Sequence, residues 1–142
     1  MEIRILTQKS EMLAQLDIVK QLYPDFTVEE YDTLLDEMLK ANYQQIIVIK
    51  NNKTMALTGV WIGTKLWSGK YIEIDSFVVD EDFRGQKIGD ILIEKVHKIA
   101  EKEGANQICL DAFTTNFTAG KFYINHGFHP KGFHFVKILN NK

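Results

Sequence analysis

The chain has 142 residues, 45% apolar and 25% charged, enough for one domain with its own core and too few for two. A formal net charge of −2 argues against the basic face of a dedicated nucleic-acid binder, and no run of about 18 apolar residues is present to span a membrane. The opening Met1-Glu-Ile-Arg-Ile-Leu6 lacks the basic-then-apolar layout of a signal peptide, and the single cysteine, Cys109, cannot close an internal disulfide. The expected setting is a reducing cytoplasm.

Taken in chain order, Glu2 to Leu6 alternates and predicts a first strand. Ser10 is placed to cap a helix to about Tyr23, with Leu13, Leu16 and Val19 on one face and Pro24 beyond its end. Thr27 and Glu30 form a capping box for a second helix striped by Tyr31, Leu34, Leu35 and Met38. Gln45 to Lys50 is β-branched, Asn51-Asn52 turns it back into Thr54 to Ile62, and Gly63 to Lys70 is a second turn. A third strand of this group runs from Tyr71 to Val79. A helix follows from about Ile88 to Glu103, capped by Gly104, and Gln107 to Ala112 returns as a strand. Asn116 caps a last helix ending at Gly127, and Phe133 to Leu139 predicts a last strand.

The resulting order, β-α-α-β-β-β-α-β-α-β, predicts an α/β (α+β) single domain over residues 1–142. Its hairpins require antiparallel pairs, while the crossover from the Tyr71 strand through a helix to the Gln107 strand requires a parallel one. A mixed sheet with helices on both faces follows, and ligands settle in such sheets where strands part at their carboxyl ends.

The most telling stretch is Tyr71 to Gly104. The strand ends in Asp80-Glu81-Asp82 and passes through Arg84-Gly85-Gln86-Lys87-Ile88-Gly89 directly into a helix. The first N–H groups of a helix lack internal partners and carry the positive end of its dipole, so they hold anions. Arg84 and Lys87 add full charges, and Gly85 and Gly89 let a phosphate approach the backbone. The pattern predicts a pyrophosphate site.

This order and these residues resemble the GNAT N-acetyltransferase superfamily. Its loop reads Arg/Gln-x-x-Gly-x-Gly/Ala, which Arg84 to Gly89 matches except that Lys87 stands at the first glycine. A second signature, Asn-x-x-Ala-x-x-Phe-Tyr followed by Gly-Phe, is similar to Asn116-Phe-Thr-Ala-Gly-Lys-Phe-Tyr123-Ile-Asn-His-Gly127-Phe128. The resemblance covers nearly the whole chain. It implies acetyl-CoA as co-substrate and direct transfer to a primary amine, whether a small molecule, a polyamine, an aminoglycoside or a peptide amine, with no metal.

Carried over by residue, Arg84, Gly85, Gln86, Lys87, Ile88, Gly89 and the helix start at Asp90 hold the pyrophosphate. Phe77, Val78 and Val79 pair with the pantetheine arm like an added strand, and Asn116 contacts that arm. The resemblance also leaves a homodimer as a family-level expectation.

A lysine-like amine, with a pKa near ~10.4, must lose a proton before it attacks a thioester. Glu73 is the candidate base. Alternation puts it on one strand face with Tyr71, Asp75 and Phe77. A backbone N–H near Val78 is the candidate oxyanion donor. Tyr123 is the candidate acid for the leaving thiolate.

Other residues read more plainly. His97 reads as a surface residue of the helix after the loop, and His126, His129 and His134 lack a second cluster of cysteines or carboxylates at metal-ligand spacing. Cys109 reads as a small core residue, and core packing is the default for Trp61 and Trp67. Asp25, Glu29, Glu30, Asp32, Asp36 and Glu37, answered locally by Lys40, read as a solvated face, with attraction of a cationic acceptor as the sharper alternative.

Two competing functions follow from the same residues. One is a non-catalytic acyl-CoA-binding module on this fold. The other is a phosphate-loop nucleotide binder, disfavoured because Asp90 follows Gly89 where a lysine is wanted.

Overall fold

The computed structural model describes residues 1–140. They form two compact units, one over Met1–Leu110 and one beginning at Asp111. The first unit is built on a mixed five-stranded sheet in the order β1-β2-β3-β4-β5. Its strands are β1 (Glu2–Leu6), β2 (Tyr43–Lys50), β3 (Lys53–Lys65), β4 (Gly69–Val79) and β5 (Gln107–Leu110). Neighbours pair antiparallel up to β4, and β4 pairs parallel with β5.

The two-residue turn between β2 and β3 follows from its asparagines. Asn51 and Asn52 take φ of 52° and 62°, a left-handed pair that asparagine tolerates better than most residues and that suits the twist of a hairpin. Both strands outrun the β-branched core of the sequence, because ladder bonds, not side-chain type, decide where a strand stops.

Three short helices, α1 (Lys9–Leu13), α2 (Leu16–Val19) and α3 (Val28–Met38), cover one face of the sheet. Met12, Ile18, Val19, Tyr31 and Leu35 pack there against Leu6, Tyr43, Ile47, Leu57 and Val78. The helix expected from Ser10 to Tyr23 is divided, and its first part has Gln8 rather than Ser10 as N-cap, the Gln8 backbone N–H donating to Glu11 Oε1 at 3.3 Å. It breaks at Gln15, whose side chain accepts the Thr54 hydroxyl at 2.6 Å, so a tertiary contact overrides local propensity. The Thr27–Glu30 capping box forms as expected, with Glu30 N–H donating to Thr27 Oγ1 at 3.1 Å.

A longer helix, α4 (Ile88–Glu103), covers the opposite face, burying Ile88, Leu92, Ile93, Val96 and Ile99. The facing sheet positions Ile46, Val48, Ala56, Val60, Ile72 and Ile74 are buried as well. Gly104 ends α4 at φ 67°, a left-handed cap.

Beneath α1 to α3 lies one buried polar cluster. Gln45 Nε2 donates to the hydroxyls of Tyr31 (2.9 Å) and Tyr43 (3.1 Å), and Tyr31 donates on to Met12 O at 3.0 Å. Gln45 pairs with Gly59 across the ladder, where a side chain would collide with the Tyr43 hydroxyl, 2.6 Å from an added Cβ.

The second unit contains α5 (Phe117–Asn125), capped by Asn116, whose Oδ1 accepts from Ala119 N–H at 3.1 Å. Gly127 follows at φ 89°. The strand expected over Phe133 to Leu139 is absent: the segment belongs to no ladder of the described sheet. Its alternation of apolar residues is real, but a strand is a pairing, and alternation supplies no partner.

Gly59→Ala should destabilise the protein by about 1–3 kcal/mol, the usual range for overpacking a filled site. Urea denaturation of Gly59→Ala, alone and in a Tyr43→Ala background, measures this. The glycine substitution should cost little once the Tyr43 ring is gone.

Candidate functional site

The site is set by where β4 loses a neighbour and where it bulges. Its parallel ladder with β5 runs from Tyr71↔Gln107 to Ile74↔Leu110 and ends there, while β4 continues to Val79 along β3. On that remaining side the register slips: Asp75 faces Gly59 and Val78 faces Leu57, so Ser76 and Phe77 together oppose Thr58. The bulge is fixed by Ser76 at φ 58°, a left-handed conformation that costs a non-glycine residue of order 1–3 kcal/mol.

This extra residue changes which side chains share a face. Leu57 and Gly59 lie two apart, so their partners Val78 and Asp75 point the same way. Val78, not Phe77, is therefore in step with Tyr71, Glu73 and Asp75. Simple alternation, which grouped Phe77 with Glu73, fails at the bulge. Val78 is accordingly buried among the residues under α1 to α3.

Glu73 sits within the ladder, half-buried, facing Trp61 on one side and Cys109 on the other. Asp75 lies just past the end of the β4–β5 ladder. Its Oδ2 accepts from Trp61 Nε1 at 3.0 Å, and its Oδ1 lies 3.5 Å from the Ser76 hydroxyl. Ser76 Oγ is also 2.9 Å from the Tyr23 hydroxyl. Asp75, Ser76 and Tyr23 carried no motif, and only their contacts single them out. Trp61 is half-buried beside these carboxylates, whereas Trp67, at the tip of the β3–β4 hairpin, is 67% exposed and packs in no core. Cys109 is half-buried rather than a core residue.

Past β4 the chain turns sharply. Asp80, 7% exposed, accepts Asp82 N–H at Oδ1 (2.9 Å) and Gln21 Nε2 at Oδ2 (3.2 Å), shaping a 3₁₀ turn over Glu81–Phe83. The Arg84 guanidinium donates back to Val79 O at 3.3 Å. Gly85 takes φ 79° with no atom within 4 Å of where a Cβ would stand, so the backbone there is open to approach. Lys87 is the N-cap of α4 at φ 62° and ψ 23°, in the left-handed region, and its side chain does not cap the helix. The position where a glycine was expected thus keeps the glycine conformation with a lysine in it. Ile88 and Gly89 are buried, and α4 begins with Asp90 in its first turn.

The acidic stretch of α3 is better answered than sequence neighbours suggested. Lys9, from α1, lies 3.0 Å from Asp32 and 2.8 Å from Asp36, Lys40 pairs with Glu37, and Glu30 is engaged in its cap. It is a solvated, paired face.

In the second unit Tyr123 packs edge-on against Phe128 at 5.7 Å and against Phe122 at 5.3 Å. Burial pushes its phenol up to about 12, because the charged form loses solvation there. The Tyr123 carbonyl accepts from both His126 and Phe128 N–H groups at 3.0 Å, closing the helix at Gly127. His126 packs at a tilt against Phe122 at 4.6 Å, and His134 lies 3.3 Å from Asp111. In the first unit His97 lies 3.3 Å from Glu101, one turn along α4.

No helix among the described residues is long and apolar enough to cross a membrane. The chain is 29% identical over 129 residues to glucosamine 6-phosphate N-acetyltransferase 1 of Dictyostelium discoideum, covering 87% of this chain and 77% of that protein. It is 27% identical over 109 residues to an aminoalkylphosphonate N-acetyltransferase of Salmonella typhimurium, covering 76% and 71%. Among solved structures it shares its fold with glucosamine-6-phosphate N-acetyltransferase from Arabidopsis thaliana, with a TM-score of 0.74 at 22% identity over 99% and 100% of the two chains. It also shares it with an aminoglycoside N-acetyltransferase in complex with CoA, with a TM-score of 0.81 at 17% identity over 98% and 96%. A model of the acetyltransferase (GNAT) family matches residues 13–128, spanning the bulged strand, the loop and both signatures, and the chain belongs to that family as an N-acetyltransferase.

Proposed function

We propose that the protein transfers an acetyl group from acetyl-CoA directly to a primary amine in a ternary complex, with residues 1–142 acting as a single catalytic domain in the cytoplasm. One observation carries this reading: a bulged strand that outruns its parallel neighbour leads through Gly85 and a left-handed Lys87, whose side chain does not cap the helix, into α4. These residues fit a long anionic cofactor with an extended arm. Backbone groups of Phe77, Val78 and Val79 hold the arm as an added strand would, and Arg84 to Asp90 hold the pyrophosphate against the positive end of α4. Asn116 contacts the arm as well.

Acetyl-CoA supplies the activated acyl carbon as a thioester, and the chain's own groups manage protons and charge. Glu73 takes a proton from the amine, directly or through water, and a backbone N–H near Val78 holds the oxyanion. Tyr123 protonates the leaving thiolate. Its raised pKa supports that role, since the phenol keeps its proton throughout the neutral range.

The acceptor is a small-molecule or peptide amine. Glucosamine 6-phosphate and an aminoalkylphosphonate, the compounds named for the two sequence relatives, are the first to assay.

Calorimetric titration with acetyl-CoA beside ATP at equal salt should give micromolar binding of the first and none of the second. Absence of acetyl-CoA binding removes this reading. Tyr123→Phe should lower kcat by about 10²-fold and leave acetyl-CoA affinity nearly unchanged, the low end of acid–base contributions. Unaltered turnover would take the proton-donor role from Tyr123. In wild type, kcat should show no alkaline fall from Tyr123 in the range where an ordinary phenol titrates, because burial raises its folded pKa to about 12. Glu73→Gln should abolish the acidic limb of kcat/KM, and a limb that persists assigns the base elsewhere.

A further inference from the structure

Residues 20–26 join α2 to α3 through a series of tight turns. Two side chains of this stretch reach the site, one at the β4 bulge and one at the turn just past β4. The Tyr23 hydroxyl meets Ser76 Oγ at 2.9 Å, at the bulge. Gln21 spans the junction of β4 with its loop, its Nε2 donating to Asp80 Oδ2 at 3.2 Å and its Oε1 accepting from Glu81 N–H at 3.1 Å. The Tyr23 ring is steadied by Phe26 at 5.0 Å, which stacks in turn on Tyr31 of α3 at 6.4 Å.

Both gripped points need outside support. Ser76 is left-handed without being glycine, a conformation that persists only where neighbours hold it. Asp80 is a nearly buried carboxylate whose two oxygens organise the turn leading to Arg84 and Gly85, and Gln21 is the side chain that satisfies one of them.

We infer that residues 20–26 form a strap in which Gln21 positions the pyrophosphate loop and Tyr23 positions the bulge that receives the acetyl end of the cofactor. This rests on the acetyl-CoA reading above. The two grips act on different parts of one ligand, so their loss has different signatures. A loosened loop weakens every ligand that carries the pyrophosphate. A loosened bulge weakens only what distinguishes acetyl-CoA from CoA.

The test is calorimetry with CoA and with acetyl-CoA on wild type, Gln21→Met, Tyr23→Phe and the double variant Tyr23→Phe/Ser76→Gly, at a temperature where circular dichroism shows each folded. Gln21→Met should weaken both ligands roughly fivefold and leave their ratio unchanged, the scale of one or two lost hydrogen bonds. Tyr23→Phe should leave CoA within about twofold and shift the acetyl-CoA/CoA affinity ratio roughly threefold. Ser76→Gly should restore that ratio, because glycine takes a positive φ without a tether.

If Gln21→Met does not fold, Gln21→Glu replaces it. That variant keeps the acceptor for Glu81 N–H, sets a carboxylate against Asp80, and should weaken both ligands equally. Unchanged affinities in the variants, or the same loss for both ligands from both positions, overturn the strap. Wild-type protein that binds neither CoA nor acetyl-CoA overturns the acetyl-CoA reading itself.

Discussion

The rest of this structure depends on β4 having one neighbour too few. Through Ile74 it is a central strand, hydrogen-bonded to β3 and β5. Beyond that point the β5 ladder is gone, while β4 continues along β3 to Val79. The slip against Thr58 increases the divergence, since a bulge bends its strand and adds local twist. A sheet that parts in this way at its carboxyl ends is a place where an extended ligand completes the hydrogen bonding.

The bulge is paid for locally and held from a distance. Ser76 and Lys87 both occupy the left-handed region without being glycine, the first beside Phe77 to Val79 and the second within the Arg84-to-Asp90 loop. Positions where local preference is violated are the ones where a protein concentrates function, because only a surrounding structure can hold them. For Ser76 that structure includes the Tyr23 hydroxyl and the Asp75 carboxylate, itself oriented by the Trp61 indole. For Lys87 it is the helix behind it, with Ile88, Leu92 and Ile93 buried against the sheet.

Electrostatics divides differently from the formal charge count. The acids of α3 are largely matched by Lys9 and Lys40, so that face contributes little net field. Glu73 and Asp75 share a sheet face with Trp61, which pairs with Glu73 across the ladder and donates its indole N–H to Asp75.

Much of this was legible from residues alone, wherever a local rule has a local cause. The Thr27–Glu30 box, the Asn51-Asn52 turn, the α4 helix with its Gly104 cap and the Asn116 cap of α5 each depend on side chains within a few positions of one another, and each formed as read. Family membership was legible too, through two signatures that share one chain. What sequence could not supply was pairing. The strand read at Phe133 to Leu139 has the alternation and no ladder, and the helix read from Ser10 to Tyr23 yields at Gln15 to a threonine 39 positions away. The face shared by Val78 with Glu73 and Asp75, the grip of Tyr23 on β4 and that of Gln21 on the turn after it, exist because tertiary contacts set a register and a backbone angle that no periodicity encodes. The sequence by itself determined the elements and the family. Only the tertiary structure decided which side chains meet, since a one-residue slip in a ladder reverses every face beyond it.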